Sequence, residues 1–118
     1  MTLRECYESL QGDFDGLVGR VMKEALAERF AMKFLKDQSY QQLMDALGQE
    51  DYENAFRAAH TLKGVCANLG FSKLQEAASE LTEALRGGTK PKDMSLVDAT
   101  TAEYERTVSA LNAYQASK

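Results

Sequence analysis

Apolar residues recur at helical spacing along most of the chain, and glycines or short polar stretches separate the runs. The four stronger runs predict helices over residues 21–47, 52–69, 72–86 and 95–114. Two weaker sets, in residues 2–10 and 13–20, predict short helices. The first long run is interrupted or bent at Asp37-Gln38-Ser39. Its apolar stripe includes Met22 and Phe30, and Met22 is expected to fill the core.

The connections between these runs are short, so successive helices are expected to be antiparallel neighbours. This pattern favours an all-α fold, namely an antiparallel up-down four-helix bundle with a short N-terminal helical cap. The cap is expected to be residues 1–20 and the bundle residues 21–118. A chain of 118 residues can bury a real core, so we interpret residues 1–118 as a single domain.

Polar residues and glycines mark several helix ends. Asp51 is a plausible N-cap for the helix over residues 52–69, and Gly70 is placed to end it in a left-handed conformation. Ser39 and Ser72 are each followed three residues later by glutamine, a spacing that predicts capping boxes.

The composition is that of an ordinary globular protein, with 44% hydrophobic and 27% charged residues. A net charge of −4 argues against nucleic acid binding, which requires a basic face. No apolar run is long enough to cross a bilayer, and the charged N-terminus lacks the apolar segment of a signal peptide. We therefore expect a cytoplasmic monomer that does not bind a membrane.

The two cysteines, Cys6 and Cys66, form no CxxC pair. In an intracellular protein such thiols are expected to be reduced. Cys66 is expected to be a small core residue, and His60, six residues earlier on the same helix, points to a different side. The sequence therefore predicts no metal site.

The only histidine, His60, lies in a stretch that is unusual for this acidic chain. No Asp or Glu occurs from Asn54 to Gln75, whereas Arg57 and Lys63 fall in that window. On a helical wheel Leu62 and Leu69 lie roughly 160° and 180° from His60, so burial of those leucines turns the histidine to solvent.

Gly64 lies one turn after His60, where a glycine costs about 1 kcal/mol relative to alanine. The missing side chain leaves the imidazole uncovered and lets another backbone approach. A neutral imidazole is a nucleophile near neutral pH, and Lys63 would stabilise a phosphoryl group attached to it. Each feature alone is more often structural: a surface histidine, a solvated lysine, a glycine for close packing. Their coincidence on one face favours a reactive histidine.

The motif His60-Thr61-Leu62-Lys63-Gly64 is preceded by Ala58-Ala59 and followed by Asn68-Leu69-Gly70. It resembles the histidine-containing phosphotransfer (HPt) domain family of bacterial phosphorelays, with the pattern H-x-L-K-G and a second glycine six residues after the first. The resemblance covers residues 21–86 well and the remainder in helical character only.

The resemblance implies a four-helix bundle in which His60 is the phosphoacceptor, Lys63 stabilises the phosphoryl group and Gly64 keeps the surface open. The implied function is that of a phosphorelay intermediate, which exchanges a phosphoryl group with the aspartate of a response-regulator receiver domain or of a hybrid histidine kinase. Such a carrier is not an enzyme by itself and needs no cofactor, because the receiver holds the divalent metal.

A surface for the partner is expected around the histidine. It comprises Phe56, Arg57, Gly64, Ala67 and Phe71. Some members of the family also place a polar side chain from the next helix against the histidine, and Ser79, Thr82 and Glu83 are the candidates here.

Two other functions stay open at this point. A helical adaptor that binds a signalling partner without phosphotransfer is the main alternative, and it requires no reactivity of His60. An enzyme with His60 as general base is disfavoured, because the window supplies no carboxylate to orient the ring. Whether the chain is a stand-alone protein or a fragment of a larger kinase is also open, although Met1 suggests a whole small protein.

Overall fold

A computed structural model describes residues 1–118 and contains only helices, so the predicted all-α fold is confirmed. The helices are α1 (Leu3–Ser9), α2 (Phe14–Val21), α3 (Glu24–Lys33), α4 (Ser39–Gly48), α5 (Tyr52–Leu69), α6 (Ser72–Leu85) and α7 (Ser95–Ala116), with a 3-10 turn at Phe34–Lys36. None of them combines the length and the apolar run that crossing a bilayer requires.

Helices α4 to α7 form the bundle. Helix α5 packs between α4 and α6, and α6 packs on α7. Tyr40 of α4 closes the arrangement by stacking on Tyr104 of α7, with ring centroids 3.8 Å apart. The Tyr40 hydroxyl also donates a hydrogen bond to Thr101 Oγ1 at 2.9 Å. The first two helices cover one end, as predicted, through contacts of α1 with α7 and of α2 with α5.

The start predicted for the first long helix, at residue 21, is wrong. Val21 ends α2, and Met22 then takes a left-handed conformation, with φ 71°, before α3 begins. This turn changes the direction of the chain, so that α3 buries Ala27 and Ala31. Met22 is 80% exposed and Phe30 39% exposed, in contrast to the predicted stripe. The predicted interruption near Asp37 is confirmed by the gap between the 3-10 turn and α4.

The predicted ends of α5 are confirmed. Asp51 accepts a hydrogen bond from the Asn54 backbone, and Gly70 takes φ 76°. A Cβ on Gly70 would lie 2.4 Å from the Asp13 carbonyl oxygen, so only glycine fits there. The prediction of two capping boxes is wrong, because the N-cap residues of α4 and α6 form no side-chain hydrogen bonds to their helices. The Ser39 backbone N–H instead donates a hydrogen bond to the Asp37 carboxylate at 2.9 Å.

One cluster of 24 buried apolar residues forms the core. Tyr7 of α1 enters it and donates a hydrogen bond to the Leu69 carbonyl at 2.7 Å. Its ring stacks on Phe71 at 5.4 Å, and Phe71 meets Phe34 edge-on at 5.1 Å. The end of α5 is therefore held by Tyr7 of α1, which lies 62 residues away in sequence.

Candidate functional site

Helix α5 presents His60 to solvent near its middle. Its opposite side is buried and consists of Ala55, Ala58, Ala59, Leu62, Cys66 and Leu69. Burial of this stripe fixes the rotation of the helix, and His60 is exposed, as the wheel predicted. The sole imidazole of the chain therefore lies on a convex surface rather than in a cleft.

Gly64 and Lys63 adjoin His60 on the same surface. Gly64 is exposed, and, apart from the adjoining backbone of α5, no atom lies within 4 Å of the position that a Cβ would take. The glycine is therefore not required by packing within this chain. Lys63 is partly buried and lies near enough to Glu83 of α6 for the two charges to attract each other. We call the surface formed by Phe56, Arg57, His60, Lys63, Gly64 and Ala67 the His60 surface.

On the α4 side, Arg57 is tied to its own helix. Its guanidinium contacts the Glu53 carboxylate at 2.9 Å and the Asn54 side chain at 3.2 Å. The side chain is nevertheless 69% exposed, so the charge stays available to a partner. A surface ion pair of this kind adds little to stability.

On the α6 side, Glu83 and Arg86 lie next to the His60 surface. The Arg86 guanidinium donates to both Glu83 oxygens, at 2.9 and 2.8 Å, and its Cζ lies 5.2 Å from the centroid of the Phe56 ring. The Phe56 and His60 ring centroids are 6.2 Å apart. The Arg86 hydrogen bond lowers the pKa of Glu83, and the positive charge of Lys63 lowers that pKa further.

Of the three candidates for a polar neighbour of His60, Glu83 is the one that a contact links to the His60 surface, through Arg86 over Phe56. The Thr82 side chain is fully buried and donates its hydroxyl proton to the Ala78 carbonyl at 2.6 Å. Ser79 lines a shallow polar depression with Gln75 and other residues of α6. No carboxylate is close to His60 in the sequence, but folding brings that of Glu83, from the next helix, to the edge of the His60 surface.

Phe71 was wrongly predicted to be a partner-binding residue. It is 2% exposed and lies between Tyr7 and Phe34 in the core. The other predicted members of the surface, Phe56, Arg57, Gly64 and Ala67, are exposed or partly buried. Arg86 was missed by the sequence analysis, because its contact with Phe56 joins two helices.

The remaining candidates for chemistry lie in the core. Cys6 and Cys66 are buried, unpaired thiols, and burial raises the pKa of each. Cys66 is thus a small core residue, as predicted. No group of three or more His, Cys, Asp or Glu side chains is placed to hold a metal ion.

Comparison with known proteins identifies the family. A family model for the Hpt domain matches residues 36–113, which is 78 of the 118 residues. Searches of curated proteins and of solved structures found no match. The matched segment contains all of α4 to α6, the His60 surface and most of α7. The chain therefore belongs to the Hpt domain family, whose general role is histidine phosphotransfer in phosphorelays.

Proposed function

We propose that this protein is a phosphorelay intermediate that accepts a phosphoryl group on His60 from the aspartyl phosphate of a receiver domain and passes it on. The observation that carries this proposal is the exposed imidazole on α5 with Lys63 beside it and open space at Gly64. A partner can approach the ring closely there, and a cation is present for the charge that arrives.

The transfer requires little from this chain beyond the nucleophile. A lone pair on one ring nitrogen of neutral His60 forms the N–P bond, while the P–O bond of the aspartyl phosphate breaks and its electron pair stays on the departing carboxylate. The proton on the other ring nitrogen remains or passes to water. Lys63 offsets the charge of the attached phosphoryl group. The reverse sequence loads the next receiver.

The partner supplies the rest of the active site. A convex surface cannot exclude water from the reacting atoms, so closure depends on the docked receiver. The divalent metal that neutralises the phosphoryl oxygens is expected on the receiver's carboxylates. Phe56 and Ala67 offer apolar contact area around His60, and Arg57 and Lys63 complement an acidic partner.

Phosphate transfer from isolated receivers tests the proposal. Receiver domains of the same organism are charged with acetyl phosphate and mixed with the protein, and an acid-labile, base-stable label is expected. Because the chain has one histidine, His60→Gln should remove that label entirely. The His60 side chain is exposed, so the free energy of unfolding of the variant should be within about 0.5 kcal/mol of the wild-type value.

The adaptor alternative makes the opposite prediction. If His60→Gln retained both partner binding and signalling output, the protein would act by docking alone. A label that persisted in this variant would refute phosphotransfer through His60.

A further inference from the structure

The pair formed by Glu83 and Arg86 is joined to the reactive ring by a continuous series of contacts. Arg86 holds both Glu83 oxygens and lies over Phe56, and Phe56 is next to His60. Both side chains of the pair are 58% exposed, so the pair contributes little to the stability of the fold. A function at the His60 surface would explain why the two charges lie there.

The Glu83 carboxylate lies near His60 in the fold. Arg86 holds the Glu83 carboxylate beside Phe56, and the Phe56 ring centroid is 6.2 Å from that of His60. The Arg86 hydrogen bond lowers the pKa of Glu83, and the charge of Lys63 lowers it further. A carboxylate at this position is near enough to interact with a charge that His60 gains. A phosphoryl group brings about −1.5 to −2 charges near pH 7, as on other phosphorylated side chains. The carboxylate must repel that group, whereas the guanidinium of Arg86 must attract it.

We propose that Glu83 and Arg86 set the phosphorylation equilibrium of His60. Glu83 destabilises the phosphorylated form and so favours donation, and Arg86 limits this effect by neutralising Glu83 and attracting the phosphoryl oxygens. The inference rests on the proposed function, because it concerns the same N–P bond. In the transfer, that bond forms as the aspartyl P–O bond breaks, with no other reactant, and the two residues change only the relative free energies of the two phosphorylated proteins.

The equilibrium constant between phosphohistidine and aspartyl phosphate is the measurement that isolates this effect. It compares the free proteins, so it does not depend on how tightly they dock. A receiver that labels the wild type is mixed with each variant until the ratio of the two phosphoproteins is constant. We expect Glu83→Gln to raise the constant about three- to tenfold and Arg86→Gln to lower it by a similar factor, since one surface charge changes near the phosphoryl group.

Opposite signs distinguish this function from a structural ion pair, because breaking such a pair from either side would shift the constant in the same direction. The double variant should return close to wild type, and 1 M salt should shrink both shifts. Glu80→Gln is the matched control: the residue is exposed on the same helix, lines the depression that also contains Ser79, and should leave the constant unchanged.

The outcomes separate the two proposals. Label on wild type with equal constants for Glu83→Gln and Glu80→Gln would overturn this inference and leave the phosphotransfer function standing. Shifts of equal sign in Glu83→Gln and Arg86→Gln would overturn it as well. A wild-type protein that took no label from any receiver would overturn both.

Discussion

Substitution of Gly64 by alanine should stabilise the protein and impair its function at the same time. Gly64 is a helical residue in α5, its φ is not positive, and no atom beyond the adjoining backbone of α5 lies within 4 Å of the added Cβ. The methyl group therefore meets no steric obstacle in the free protein. Alanine in a helix interior is favoured over glycine by about 0.5–1 kcal/mol. For a chain of this size the melting temperature should rise by roughly 2–6 °C.

The same methyl group would stand beside His60 where the partner must approach. A displacement of about 1 Å between reacting groups can slow a reaction on the order of 100-fold. We expect phosphotransfer to Gly64→Ala to slow by about 10- to 100-fold, measured as the initial rate of label transfer from a charged receiver. Thermal unfolding followed by circular dichroism gives the stability in the same preparation.

Gly19→Ala provides the matched control. Gly19 is also an exposed helical glycine with open space at its Cβ position, but it lies in α2, outside the His60 surface. It should show a similar rise in melting temperature and a wild-type transfer rate. If Gly64→Ala transferred phosphate at the wild-type rate, the clearance argument would be refuted. A lowered melting temperature would refute the helix argument.

Three further predictions follow from single contacts. Lys63→Gln should shorten the lifetime of the phosphohistidine or lower its yield about tenfold, since a charge-assisted contact is lost; a wild-type lifetime, measured by retained label, would contradict this role. Gly70→Ala should lower the free energy of unfolding by at least about 2 kcal/mol in denaturant titrations, because φ is 76° and the Cβ would meet Asp13; a neutral effect would contradict the geometry. Tyr7→Phe should lower the free energy of unfolding by about 1–3 kcal/mol, because the Leu69 carbonyl loses its hydrogen-bond donor. Burial also raises the pKa of Tyr7, so the stability it contributes is fully present below the unfolded value near 10 and is lost as the pH rises above it. The Phe variant should therefore lose less stability than wild type above pH 10.

The sequence was informative where a helix has a clear apolar face. The stripe that includes Leu62 and Leu69 determined the rotation of α5, and this was sufficient to place His60 in solvent. The ends of α5 were equally predictable, because an aspartate N-cap and a left-handed glycine act through their own backbone neighbourhood. These are local effects, and periodicity and capping rules describe them directly.

Residues whose environment depends on distant parts of the chain were not predictable in this way. Phe71 lies between two helices, where periodicity gives no direction, and Tyr7 and Phe34 decide its burial. Met22 fitted the apolar stripe of a predicted helix, but a left-handed turn at this residue keeps its side chain out of the core. The sequence offered Glu83 only as one of three equivalent candidates and did not point to Arg86 at all. Only the packing of α6 on α5 brings this pair to the His60 surface.

The attachment of α1 to the end of α5 has a consequence for the order in which the protein folds. Most contacts among α4 to α7 join helices that are neighbours in the chain, and the contact of Tyr40 with α7 is the long-range exception. Every contact of α1 with the bundle is long-range, with separations of 62 residues from Tyr7 to Leu69 and 104 residues from Cys6 to Ala110. Contacts at such separation form slowly, so we expect the bundle to assemble first and the N-terminal helices to dock onto it afterwards. The same helices would be the first to detach in native-state hydrogen exchange. The attachment point at Leu69 lies about 13.5 Å along α5 from His60, at 1.5 Å per residue, so such an opening would leave His60 in place.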